Sequence, residues 1–354
     1  VGSEMCIRDR ACRDRQPVPR VLRPAAGWFG TGDGAHHHPV HLPAAAVHGG
    51  RLLHRHGCPV GTRVAARDPE GNHDHAPGCH AQRRPDHPQL GFGTFQIPPP
   101  ANAKAVLDAL AAGYRHIDTA EMYENEGGVG EAIRASGLPR ADVFIASKLS
   151  NAAHRPDDAR RAFDVTLAEL AIDYVDLFLI HWPLPTLYDG DYVSTWQVLE
   201  ELRQDGRARS IGVSNFQISH LERLAAETDS VPAVNQIEVH PFFPNDEVRA
   251  YGREHGIATE AWSPLVQGKA LTDTVVTEIA ARHGRTPAQV LLRRHLQRGD
   301  IVFPKTTSPS RMRENFDVFG FELSPDDMAA LSSLSRGDAG RTGPHPDTFD
   351  WVPA

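Results

Sequence analysis

An aspartate, a tyrosine, a lysine and a histidine punctuate the middle of this 354-residue chain, each at or just after the end of a short apolar run. In "HIDTAEMYENEGGVGEAI", residues 116–133, Asp118 closes one run and Tyr123 follows five residues later. Lys148 is next to last in "VFIASKL" and His181 next to last in "VDLFLIHW". A carboxylate, a phenol, an ammonium and an imidazole are the groups that donate, accept and steady protons in general acid–base chemistry. The series continues down the chain. Ser214 and Asn215 lie in "RSIGVSNF", Gln236 in "AVNQIEVH", Trp262 and Ser263 in "ATEAWSPL", and Lys305 after "IVFP". Each residue alone has a structural explanation: Asp118 as a helix cap, Tyr123 as a rim aromatic, Lys148 as a surface lysine, His181 as a hydrogen-bonded core histidine. Independent residues would not all fall at the ends of successive apolar runs, so together they point to one site.

The elements that position them are legible from periodicity. Eight short apolar runs recur from "LGFGTF" to "IVFPKTT". Between them lie patterns such as "PDDARRAFDVTLAELAI" and "STWQVLEELRQDG", with apolar residues at i, i+3, i+4 and i+7. Pro156 and Asp157 suit a helix start and Gly206 a helix stop. Eight strands alternating with helices over about 260 residues predict a single-domain α/β fold, the parallel (β/α)8 TIM barrel, whose chemistry gathers at the C-terminal strand ends. The alternative is an open doubly wound sheet. Against it, "GFGTF" lacks the GxGxxG fingerprint and no acidic residue closes a second strand in the required place.

Other chemistries find little support. There is no GxSxG nucleophile elbow. There is no HExxH, and His116 and His181 fall at opposite ends of their strands, so no metal site is expected. With a formal charge of −8 and 40% apolar residues, the composition lacks the basic excess of a nucleic-acid surface. No run approaches the roughly eighteen apolar residues of a membrane span, and the N-terminus lacks a signal-peptide layout. A cytoplasmic enzyme acting on a small molecule is expected, as a monomer.

The first 86 residues differ from the rest. Residues 1–87 hold 11 of the 20 histidines and all four cysteines (Cys6, Cys12, Cys58 and Cys79), with no lysine and no tyrosine. They show neither a helical nor a strand period. A histidine-rich metal segment is one reading; a leader never selected to fold is the one adopted. Shifting the frame of "HDHAPGCHAQRRPDHP" by one base permits Met-Thr-Thr-Pro-Gln-Ala-Val-Thr-Leu-Asn-Asp-Gly-Pro-Thr-Ile-Pro. That contains a start, an alternating strand and a hairpin signal. The expectation is that residues 1–86 are an out-of-frame or non-coding leader and that 87–354 form the barrel.

From Gln89 onward the chain resembles an aldo-keto reductase, in "LGFGTFQI", "GYRHIDTAEMYENE", "ASKL", "VDLFLIHWP", "IGVSNF", "NQIEVHP", "EAWSPL" and "FPKTTSPSRMRENFDVFGFEL". The tail "GRTGPHPDTFDW" is most similar to the bacterial subgroup named for 2,5-diketo-D-gluconate reduction. The resemblance implies an NADPH-dependent reductase of aldehydes and ketones with a catalytic tetrad of Asp118, Tyr123, Lys148 and His181. Carbonyl reduction builds negative charge on oxygen, which calls for a proton donor and a positive field. A free tyrosine titrates near 10, and a neighbouring lysine ammonium is expected to lower that value.

The resemblance further implies that Ser214, Asn215 and Gln236 hold the nicotinamide amide and that Trp262 stacks under the ring. Ser263 and Leu265 belong to the same cofactor site. Lys305, Thr306 and Arg311 would face a 2′-phosphate, with Glu314 and Asn315 on the adenine side; two cations at one ribose favour NADPH over NADH. Phe95, Trp182 and His181 would wall the substrate. Two departures stand out: Ser150 where the family commonly has tryptophan, expected to open or polarise one wall, and Val266 where it often has glycine, expected to restrict the loop over the pyrophosphate. A non-catalytic nicotinamide-nucleotide-binding regulatory subunit is the alternative function. Family members also carry a hairpin over the barrel's N-terminal end, which "CHAQRRPDHP" does not provide, so that floor is expected to be partly uncovered.

Overall fold

The apolar runs become eight parallel strands. The computed structural model describes residues 87–353; the leader assigned to residues 1–86 lies outside the described residues. The strands are β1 (Phe92–Gly93), β2 (His116–Asp118), β3 (Phe144–Leu149), β4 (Val175–Ile180), β5 (Ala208–Ser214), β6 (Val234–Glu238), β7 (Ala258–Trp262) and β8 (Ile301–Val302). They pair in chain order, every pair parallel. The ends of the sheet then meet: Leu90 bridges Val302, Gly91 N–H donates to Val302 O at 2.7 Å, and Val302 N–H donates to Gln89 O at 3.0 Å. The expected barrel is therefore present. Its two shortest strands, β1 and β8, are the ones that close it.

Among the described residues, ten helices connect or follow the strands: α1 (Pro99–Ala111), α2 (Glu126–Ser136), α3 (Pro156–Leu170), α4 (Tyr192–Gln204), α5 (Ile218–Glu227), α6 (Asp246–Glu254), α7 (Thr274–His283), α8 (Pro287–Gln297), α9 (Pro309–Phe316) and α10 (Pro325–Ser332). Their starts follow local chemistry. α3 opens with Pro156 and an acidic first turn, Asp157 and Asp158, where free N–H groups favour negative charge. Thr286 and Gln289 form a reciprocal capping box at α8. The strands β3 and β4 are buried along their whole length, as central parallel strands covered on both faces must be. Their outward residues pack on the helices, with Phe163, Phe178 and Trp196 among the largest buried side chains.

At the N-terminal end of the strands, Phe144, Leu177 and Val234 form a separate apolar cluster. A cavity of about 410 Å³ opens there, lined by these residues with His87, Ala258 and Ile301. Among the described residues, no helix is long and apolar enough to cross a membrane.

Candidate active site

The C-terminal strand ends bring the tetrad together. Lys148, near the end of β3, is fully buried. Its ammonium donates to both Asp118 oxygens, at 3.0 and 2.8 Å, and to the Thr119 carbonyl at 2.7 Å. All three donors of the ammonium are thereby used. The pairing works because β2 and β3 are neighbours and Asp118 pairs with Ala146, two residues short of Lys148. Tyr123 sits on the single 3-10 turn after β2, with its ring centroid 5.0 Å from the Lys148 Nζ. His181 follows β4, its ring edge-on to Tyr123 at 5.8 Å.

The loop bearing Tyr123 is held by Asn125. Its amide donates to the carbonyls of Thr94 and Ile97, both at 3.0 Å, and its oxygen accepts from the Thr119 hydroxyl at 3.0 Å. One buried asparagine thus ties the loop after β1 to the loop after β2.

Burial sets the proton affinities. It works to lower Lys148, but Asp118 and Tyr123 outweigh it and raise the lysine above its ordinary value, so the ammonium form is favoured. Burial, followed by the Lys148 charge, holds His181 well below the usual imidazole value. That histidine is neutral at pH 7, and its Nδ1 has no hydrogen-bond partner among the described residues. Tyr123 departs from expectation. Lys148 pulls its hydroxyl downward as foreseen, but burial is the larger effect and the net shift is upward.

The residues assigned to the nicotinamide also converge, with their donors engaged on one another. Ser214 Oγ donates to Gln236 O at 2.8 Å. Asn215 Nδ2 donates to His181 O and to Ser214 Oγ, both at 3.0 Å, and its oxygen accepts from the Trp262 indole at 2.9 Å. Gln236 Nε2 donates to Asp118 Oδ2 at 2.9 Å and to Glu260 Oε2 at 2.7 Å. Gln236 therefore reaches the Asp118 carboxylate directly, a contact that sequence reasoning missed. The half-buried Trp262 is fixed at its far edge by Gly343, where a Cβ would come within 2.5 Å of the indole.

Further out, Ser263 and Val266 both adopt positive φ, 53° and 51°. For a β-branched residue that is a strained conformation, and Leu265 between them is half-buried. Lys305 and Arg311 are exposed at the start of α9, Thr306 is half-buried beside them, and Asn315 is buried in the same helix. One oxygen of the half-buried Glu314 accepts from Thr286 Oγ1 at 2.8 Å. That bond fastens α9 to the cap of α8.

On the substrate side, Phe95 is 45% exposed and its ring lies 5.0 Å from Tyr123, an open aromatic lip. Trp182 is buried against Phe349 of the tail, ring centroids 4.1 Å apart. Ser150 is buried and accepts from Ala152 N–H at 3.3 Å, capping a short turn. Its hydroxyl serves the backbone. The tail is latched by Glu238, which accepts from the N–H groups of Thr342 and Gly343 at 2.7 and 3.0 Å. Asn151 Nδ2 donates to Trp351 O at 2.9 Å.

An eight-stranded parallel barrel with a buried lysine–aspartate pair beside a tyrosine and a neutral histidine defines a class, and the chain belongs to it: the aldo/keto reductase family, whose profile matches residues 89–336. The chain is 52% identical over 265 residues to an aldo-keto reductase of Mycolicibacterium smegmatis, covering 75% of this chain and 95% of that one. It is 44% identical over 264 residues to the methylglyoxal reductase DkgA of Escherichia coli K12, covering 74% and 94%. Among solved structures, a variant of Gox0644 in complex with NADPH superimposes with a TM-score of 0.71 at 44% identity, covering 75% of this chain and 95% of that one.

Proposed function

We propose that this chain reduces the carbonyl of small aldehydes and ketones, dicarbonyl compounds among them, to the alcohol with NADPH, using Tyr123 as proton donor. The observation that carries the reading is the buried Lys148, paired with Asp118 and 5.0 Å from the Tyr123 ring.

The side chains fit the cofactor. Lys305 and Arg311 place two exposed cations at the N-terminus of α9, where free N–H groups also favour an anion such as a 2′-phosphate. Trp262 presents a fixed indole beside Asn215 and Ser214. NADPH, when bound, supplies the hydride that the carbonyl carbon accepts.

The protein's part is to receive the substrate oxygen. Tyr123 releases its proton to that oxygen as negative charge builds there. The cost of leaving a buried phenolate is offset by the Lys148 ammonium, which Asp118 keeps charged and in place. His181, neutral and without a second partner, donates a hydrogen bond to the same oxygen and orients it. Phe95 and Trp182 shape the apolar approach, and the resemblance to DkgA favours methylglyoxal-like dicarbonyls as substrates.

The test is turnover of a panel of aldehydes, ketones and dicarbonyls, methylglyoxal included, followed by loss of reduced-nicotinamide absorbance with NADPH and with NADH. Turnover with NADPH well ahead of NADH supports the reading. Tight NADPH binding with no turnover of any carbonyl would instead identify a non-catalytic nucleotide-binding subunit.

A further inference from the structure

The opposite end of the barrel holds a cluster that carbonyl reduction does not use. His87 precedes β1, His116 begins β2, and Glu260 lies in β7. One ligand atom from each lies within 4.8 Å of the other two. His116 and Glu260 are fully buried. His87 Nε2 and Glu260 Oε1 form an ion-pair contact at 3.1 Å, and His116 Nε2 lies beside it with no hydrogen-bond partner among the described residues. A buried ring nitrogen left in that way is costly in a barrel interior.

We propose that His87, His116 and Glu260 form a site for a divalent transition ion, zinc in particular, on the floor of the barrel. Two imidazoles and a carboxylate are a zinc donor set that leaves a fourth position for water. The ligands are oriented as metal ligands need to be. His116 Nδ1 is 3.3 Å from the Pro88 carbonyl, and because a carbonyl only accepts, Nδ1 carries the proton and Nε2 keeps its lone pair free. The other Glu260 oxygen accepts from Gln236 at 2.7 Å, which fixes the carboxylate. His87 stacks on Phe144 at 4.0 Å. Gly91 leaves room for the His116 ring, since a Cβ there would come within 2.7 Å of it.

A tetrahedral ion at about 2.0–2.1 Å from each ligand needs ligand atoms about 3.3–3.5 Å apart. With separations of at most 4.8 Å, the ligands need draw in by no more than about 1.5 Å. The 410 Å³ cavity that His87 lines gives the ion its way in.

A bound ion would staple the segment before β1 to β2 and β7. It would also touch the far end of a polar column, since Glu260 reaches Asp118 through Gln236.

The experiment is zinc titration of the chelator-stripped full chain, in competition with a chromophoric chelator, beside the His87→Ala variant. Histidines and cysteines before residue 87 are common to both proteins, so the difference isolates the floor. The intact chain should bind one more equivalent than the variant, and zinc should raise its Tm further. Losing this ligand should weaken that equivalent by more than the roughly 10–100-fold that loss of an outer partner costs. Glu260→Gln, which keeps a hydrogen-bond acceptor for Gln236, should lose the same equivalent and covers the case in which His87→Ala does not fold. Equal stoichiometry and equal Tm shifts in intact and variant chains would overturn the site and leave His87 and Glu260 as an ion pair only.

Discussion

At the mouth of the barrel, Lys148 finds three acceptors, Asp118 finds Lys148 and Gln236, and Asn215 is bonded at both ends. At the floor, His87 and Glu260 stand as an ion pair at 3.1 Å, and His116 keeps a buried ring nitrogen with no hydrogen-bond partner among the described residues. The same kinds of side chain are self-sufficient at one end and incomplete at the other. Strand register explains the mouth: adjacent parallel strands deliver their polar residues to neighbouring positions at their C-terminal ends. The floor cluster spans β2 and β7 and a segment before β1, so it depends on barrel closure alone. A buried polar group is tolerated when paired, and at the floor the His116 nitrogen has been given its orientation without a partner.

Breaking the self-sufficient end should be the more damaging. Lys148→Met leaves the Asp118 carboxylate buried without its cation and should cost about 3–5 kcal/mol of stability, measured by urea unfolding. The double variant Asp118→Asn with Lys148→Met should recover much of that stability and none of the activity. Recovery of both would mean that the pair serves folding only.

Glu126, at the start of α2, sharpens the comparison through pH. It accepts from the hydroxyls of Ser147 and Thr166, and burial raises it to about 7. A carboxyl raised above its unfolded value holds its proton longer in the folded state, so its stabilising contribution is full below about 4.5 and is lost as pH climbs through 7. Stability should therefore fall by up to about 3 kcal/mol over that window. Glu126→Gln should flatten the slope in unfolding curves at pH 5 and pH 8. A slope that survives the substitution would assign it elsewhere.

At the rim, Arg311→Ala should weaken NADPH binding by about 1.5–3 kcal/mol, the scale of a charged hydrogen bond, and NADH binding much less. Equal losses for both would remove Arg311 from the 2′-phosphate. The smallest effect belongs to the floor. His87→Ala, assayed without added metal, should leave kcat and KM unchanged, and a large loss would show that the floor supports catalysis directly.

Most of the architecture was legible in the sequence because a parallel barrel repeats one local pattern. "VDLFLI" became β4 residue for residue, and Pro156 opened α3 as its type dictates. The tetrad was legible for the same reason, since each member ends a strand or follows one closely. What escaped was set by contacts distant in sequence. Nothing near Gln236 announces Asp118 or Glu260, and nothing near Glu238 announces the tail at Thr342 and Gly343. Glu314 also meets the cap of α8, and Ser150 caps a nearby turn, local contacts that a family pattern does not display. The upward shift of Tyr123 is likewise a property of burial, which residue type alone does not reveal.

The central claim is that Tyr123, steadied by Lys148, gives its proton to the substrate oxygen. The measurement that meets it most directly is kcat for Tyr123→Phe with methylglyoxal and NADPH, alongside NADPH affinity by fluorescence. Phenylalanine keeps the ring and removes the proton. The account predicts a fall in kcat of about 10²–10⁴-fold, the range of general acid catalysis, with NADPH affinity nearly unchanged. A variant that retained more than about a tenth of the wild-type kcat would contradict it.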